Sequence, residues 1–177
     1  MPHRHRTALV ILAVAGLLCW LVTIWGVVRN FSPNALVDLR VYRDAINLWR
    51  LNGVSPYDVK VTEWNLPFTY PPFAILVLLP LAVIPFKAAS VTLLGTSFIA
   101  VAVTSLVVWR HGFLRLNSEA IGALGMACLT LASSGIATRL EPFQSTFDYG
   151  QVNVVLMALV CVDLLLTKGR LRGILLG

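Results

Sequence analysis

The sequence predicts an all-α, multi-pass membrane protein, and three observations carry that expectation. Hydrophobic residues make up 58% of the 177-residue chain against 12% charged, and mean hydropathy is +0.81, far outside the habit of soluble domains. Thr7 to Val28 runs without a single charge, enough to cross a hydrocarbon core that needs about 20 apolar helical residues. Further apolar runs follow, separated by short basic clusters.

The first span is 7–28. The preceding "MPHRHR" looks like the charged start of a signal peptide, but the run is too long and lacks a small-x-small cleavage site, so an uncleaved anchor is expected. Arg4 and Arg6 place the N-terminus in the cytoplasm, and the loop 29–70 then faces outward. Within it, Leu39, Val41, Tyr42, Ala45, Ile46, Leu48 and Trp49 fill one half of a helical wheel. Arg40, Arg43, Asp44, Asn47 and Arg50 fill the other. That pattern predicts an interfacial amphipathic helix over 39–50, its aromatic residues at headgroup level and its arginines within reach of lipid phosphates. Asp38, just before it, suits a helix N-cap and equally a functional role. Four of the eight acidic residues of the chain, Asp38, Asp44, Asp58 and Glu63, fall in this loop, matched by Arg40, Arg43, Arg50 and Lys60. Positive-inside sorting explains a shortage of basic residues outside the membrane but not such a supply of acid, and a carboxylate held at a bilayer surface is a place to look for a general base.

The segment 71–109 combines a short proline-rich stretch, Pro71 to Phe86, with a second full span from Ala88. Pro71, Pro72, Pro80 and Pro85 each deny a helix one backbone donor. If the stretch crossed, both basic clusters, "WRHGFLR" and "KGRLR", would lie outside. A re-entrant dip puts both inside and returns Arg139 to Gln151 to the side of the first loop, which is the arrangement expected. Spans at 120–138 and 152–167 complete the pattern. The chain reads as one transmembrane module, 1–177, and "GILLG" as the start of another span in something longer.

The net charge of +6 resides in these inter-span clusters and reads as a topology signal; no nucleic-acid partner is expected. Cys19, Cys128 and Cys161 lie in apolar runs and the histidines lack ligand partners at metal spacing, so neither a disulfide, a metal site nor a cofactor is expected. Asp163 is an acid inside a span and so a functional candidate, though pairing with Lys168 explains it more simply. Gln151 and Asn153 read as helix-packing groups.

"VDLRVYRDA", "PYD", "LPFTYPPFAILVLLPLAVIPF" and "GQVNVVLMALVCVDLLL", in that order, resemble the polyprenol-phosphate-mannose-dependent α-(1→2)-mannosyltransferases of glycosyltransferase family 87, including its mycobacterial members that elongate phosphatidylinositol mannosides. The resemblance runs from about Val37 to Leu166 and implies the N-terminal module of a GT-C enzyme in the plasma membrane, whose first extracytoplasmic loop carries the catalytic acid. It implies Asp38 as that residue, inverting transfer from polyprenyl-phosphate mannose, and a glycolipid or cell-envelope glycan as acceptor. Arg40 and Arg43 are candidates for the leaving phosphate, and Tyr42 and Tyr70 for the sugar, although interface anchoring accounts for the tyrosines as well. The rival readings are a transporter or flippase of polyprenyl lipids, which proline-broken helices would suit, and an inactive fragment of the transferase. Asp38 discriminates between chemistry and mere passage.

Overall fold

The computed structural model describes residues 3–29, 35–113, 118–167 and 172–174, and among these it is nearly all helical. In order come α1 (His3–Arg29), α2 (Val37–Asn52), a minimal hairpin of β1 (Lys60–Val61) and β2 (Leu66–Pro67), α3 (Pro72–Val83) and α4 (Phe86–Val108). A π-helical turn (Trp109–Phe113), α5 (Ser118–Ala137), α6 (Glu141–Tyr149) and α7 (Asn153–Leu166) follow. Residues 30–34 of the first loop, Leu114 and Arg115 of the first basic cluster and Lys168 to Leu171 of the second lie outside the described residues.

Thr7–Arg29 and Phe86–His111 are long and apolar enough to cross a membrane. Ile11, Leu18, Leu21, Trp25 and Val28 of α1 are all more than half exposed, a surface that water would penalise and lipid would not. The helix is instead anchored along one seam. At the α1–α5 crossing, a Cβ added to Gly135 would sit 2.0 Å from the Gly16 carbonyl oxygen, and one added to Gly16 would sit 2.4 Å from that of Leu131. Only glycine lets the two backbones touch. Trp20 Nε1 donates to Ser134 Oγ at 3.0 Å and the Thr23 and Thr138 hydroxyls pair at 2.9 Å.

The proline-rich stretch resolves into α3, whose 12 residues extend about 18 Å at 1.5 Å per residue, short of a hydrocarbon core of about 30 Å. Pro72 occupies the first turn, where its missing N–H costs nothing, and extended Ile84 and Pro85 break the chain before α4. α3 lies along α2, while α4 packs on α7 and α5. The core formed this way includes Leu39, Ile46, Val101 and Phe147, with the Phe98 and Phe147 rings stacked at 4.4 Å.

Two expectations need correction. The helix expected over 39–50 spans Val37–Asn52, and Asp38 is not its cap: Leu36, in a left-handed conformation (φ 58°), holds that position with no side-chain capping bond. The apolar face of α2 is also not a lipid-facing one, because Leu39, Val41, Tyr42, Ala45 and Ile46 are buried against the protein and Trp49 and Leu51 remain exposed. A helical wheel identifies an apolar face but not what covers it. Asp163 is fully buried and accepts Thr167 Oγ1 at 3.0 Å and the Gly173 N–H at 2.7 Å. Lys168, the expected partner, is outside the described residues.

Candidate active site

The start of α2 meets the turn between α6 and α7. The Leu36 N–H donates to the Asp148 carbonyl at 3.2 Å, docking the end of α6 against the first residues of the helix. α6 then ends at Gly150, whose left-handed backbone (φ 70°) needs a glycine, and whose Cβ position lies 3.1–3.3 Å from Leu36 and Leu39 side-chain atoms. The Gly150 and Gln151 N–H groups both donate to the Thr146 carbonyl at 3.0 Å. The backbone that carries Gln151 is therefore set by its own helix end.

Asp38 is half-buried in this corner, with the Gln151 side chain near enough to act on its charge. Burial raises the Asp38 pKa above the ordinary carboxylate value, and the nearby Gln151 side chain acts in the opposite direction. The carboxylate is thus held in surroundings that favour its taking a proton more than water does. One turn further on, the Tyr42 hydroxyl pairs with that of Tyr70 at 2.9 Å. Burial, then the Tyr70 hydrogen bond, push Tyr42 above its usual pKa, so it stays a neutral phenol.

The segment "LPFTYPPF" supplies the wall behind these groups. Tyr42 meets Tyr70 edge-on at 5.1 Å and Phe68 at 6.5 Å, and Tyr57 meets Phe68 at 5.7 Å. Tyr57 Oη donates to the Tyr70 carbonyl at 2.9 Å. Aromatic edges and hydroxyls beside a carboxylate suit a sugar, which offers both apolar C–H faces and hydroxyls.

Asp38, Tyr42 and Tyr70 are thereby brought together, whereas Arg40 and Arg43 are not. At 100° per residue they lie about 200° and 140° around α2 from Asp38. The Arg40 guanidinium stacks 4.4 Å over the Phe86 ring and its Nε donates to the Ala35 carbonyl at 3.3 Å. Arg43 donates to the carbonyls of Ile84, at 2.7 Å, and Leu81, the orphan acceptors at the end of α3. Both arginines brace the bend between α3 and α4. Gln151, in contrast, lies near Asp38; the sequence signal that locates it is the early Pro142 and terminal Gly150 around "PFQSTFDYG", which mark a short helix and the turn after it.

The profile of glycosyltransferase family 87 matches residues 68–177. The chain is 29% identical, over 99% of its length, to the polyprenol-phosphate-mannose-dependent alpha-(1-2)-phosphatidylinositol pentamannoside mannosyltransferase of Mycolicibacterium smegmatis, and covers 40% of that protein. Its counterpart of the same name from Mycobacterium tuberculosis is 30% identical over 98% of the chain, which covers 38% of it. A phosphatidylinositol mannoside mannosyltransferase of M. tuberculosis is 34% identical over 80% of the chain, with 35% of that enzyme covered. The chain thus spans about two fifths or less of the length of these relatives. No solved structure matches it. Because the family profile takes in more than half of the residues, and the relatives' matches extend back over the Asp38 corner, the chain belongs to glycosyltransferase family 87.

Proposed function

We propose that this chain carries the general base of a membrane mannosyltransferase that uses polyprenyl-phosphate mannose and forms an α-(1→2) linkage on a phosphatidylinositol mannoside or related envelope glycan. The observation that supports it most is the placement of Asp38: a half-buried carboxylate with a raised pKa beside two phenols. The names of the relatives supply the donor and acceptor classes.

In this mechanism Asp38 takes the proton of the acceptor hydroxyl as that oxygen bonds to the anomeric carbon. The bond from that carbon to the phosphate oxygen breaks on the opposite face, and polyprenyl phosphate departs with the electron pair. The hydroxyl becomes acidic only as its new bond forms, so a base of modest pKa within hydrogen-bond reach is sufficient. Inversion turns a β-linked donor into an α-linked product. Tyr42 and Tyr70 border the sugar, and Arg40 and Arg43 hold the α3–α4 bend rather than the phosphate.

The corner belongs outside the cytoplasm in a multi-pass protein. Arg4 and Arg6 keep the N-terminus inside by the positive-inside rule, and α3 dips and returns. The bond from Leu36 to Asp148 supports putting the first loop and the α5–α7 connection on one side. With Cys19, Cys128 and Cys161 replaced, a cysteine at position 148 reacts with an impermeant thiol reagent in intact cells and one at position 113 does not. The opposite labelling would mean that α3 crosses. For the chemistry, purified full-length enzyme transfers mannose from β-linked polyprenyl-phosphate mannose to an acceptor glycolipid with an α-linked product, and GDP-mannose alone gives none. Robust transfer from GDP-mannose without a lipid phosphate, or a β-linked product, would overturn the reading.

A further inference from the structure

We propose that Trp49 and Tyr57 form a second sugar subsite, which holds a ring of the acceptor glycan beyond the one that reacts. The proposal rests on the reading of this chain as a mannosyltransferase. Between the end of α2, the loop that follows it and the start of α3 lies a groove of about 440 Å³, bordered by Trp49, Gly53, Ser55, Tyr57, Pro72 and Leu76. That volume is within the range of small-molecule clefts, about 300–1,000 Å³. Trp49 is 40% exposed and Tyr57 44%, so two half-open aromatic rings line one groove.

Tyr57 is fixed there from three directions. Its N–H donates to Ser55 Oγ at 3.3 Å, its hydroxyl donates to the Tyr70 carbonyl at 2.9 Å, and its ring meets that of Phe68 in a T-shaped contact at 5.7 Å. Both polar ends of the residue are engaged within the protein, so what it offers a ligand is its ring. A ring held in this way loses little conformational freedom on binding. Trp49 adds a second ring and an indole N–H donor. Aromatic surface bordered by a serine hydroxyl suits the C–H face and the hydroxyls of a sugar.

Position selects the acceptor as the occupant. At 100° per residue Tyr42 and Trp49 lie about 40° and 20° around α2 from Asp38, and about 16.5 Å along the axis separates Asp38 from Trp49. The groove thus continues the stripe that carries the base. Tyr57, through its bond to Tyr70, also makes it the far end of the same aromatic wall. Polyprenyl-phosphate mannose has one sugar, and that sugar must lie at Asp38. A second platform so far along α2 fits a ligand with several rings, which is the acceptor glycan. Leu76 belongs with Phe73 and Val77 to the exposed apolar face of α3, which lipid covers more favourably than water. A glycolipid lying here has its sugars on the two rings and its chains beside α3.

The test separates binding from chemistry by using full-length Asp38→Asn enzyme in detergent. Titration calorimetry measures its affinity for a soluble α-linked mannotriose and, separately, for polyprenyl-phosphate mannose, and melting is followed in parallel. Adding Trp49→Ala weakens mannotriose binding by about tenfold in Kd, and Trp49→Phe in its place recovers most of the loss because a ring remains. Donor affinity moves in neither. Unchanged mannotriose affinity in Trp49→Ala overturns the proposal, as does an absence of mannotriose binding at the outset. An equal loss for the donor would place the polyprenyl chain in the groove and overturn it too. Should Trp49→Ala fail to fold, Leu76→Trp decides, because it fills the groove from a residue that is 67% exposed; unchanged mannotriose affinity there overturns the proposal equally. Turnover by Asp38→Asn would instead remove the general base, a failure that the mannotriose affinities do not share.

Discussion

The α1–α5 seam and the corner where α2 meets α6 and α7 both place polar groups among apolar helices, and they use them in opposite ways. Along the seam the described pairs between the two helices are neutral and closed. Trp20 bonds Ser134, Thr23 bonds Thr138, and the hydroxyls of Thr23, Ser134 and Thr138 also reach carbonyls of their own helices. Interhelical bonds of this kind contribute about 0.6 kcal/mol each, and their geometry depends on the backbone contact at Gly16 and Gly135. At the corner the central group is a carboxylate whose ionised form burial disfavours. A closed, neutral polar set builds a helix pair. An open carboxylate whose charge burial disfavours costs stability.

The largest effect that tests this contrast is on Asp38→Asn. Loss of a general base lowers transfer by about 10²- to 10⁴-fold. Stability moves the other way. The folded pKa of Asp38 is raised, so its favourable contribution is present in full below the unfolded pKa and is lost as pH rises through the folded one. At neutral pH the neutral asparagine therefore melts no lower than wild type, and the difference closes as pH falls towards the ordinary carboxylate range. An Asp38→Asn protein that melts well below wild type at neutral pH would place Asp38 with the structural residues.

On the seam, Gly135→Leu gives the reverse pattern. Its side chain meets the Gly16 backbone, and overpacking costs about 1–3 kcal/mol, read as a lower melting temperature in detergent. Transfer per folded molecule stays close to normal. An undisturbed melt would mean that α1 and α5 do not touch there.

Arg43→Ala tests whether the far side of α2 belongs with the seam or with the corner. It leaves the Leu81 and Ile84 carbonyls without their donor, at a cost of about 1–3 kcal/mol. Arg43→Lys recovers part of that stability, since one ammonium can still reach a carbonyl. A variant that melts normally but loses affinity for the lipid donor would return Arg43 to the phosphate. The smallest effect is on Thr23→Val and Thr138→Val. In a double-mutant cycle by thermal melting they couple by about 0.6 kcal/mol, with no change in transfer.

Much of the fold was legible in the residues. The charge-free run from Thr7, the second run from Ala88 and the prolines around 71–86 marked α1, α4 and the short α3, because membrane length and missing backbone donors are local properties. α6 was missed: a helix of nine residues is too short for its pattern to stand out from the polar loop that contains it. The site divided similarly. Asp38 stood out as an acid where sorting rules did not require one, and Tyr42 and Tyr70 followed from the same motifs.

By itself, then, the sequence determined the all-helical class, the apolar segments, the family and the acid most suited to be a base. These rest on composition, spacing and order along the chain. Only the tertiary structure decided that Asp38 is not a cap, that Arg40 and Arg43 turn away from it, and that Asp148, far along the chain, bonds to Leu36 beside it. A hydrogen-bond partner is chosen by proximity in space, and here that proximity depends on a left-handed glycine packing against Leu36 and Leu39, a contact that no local pattern encodes.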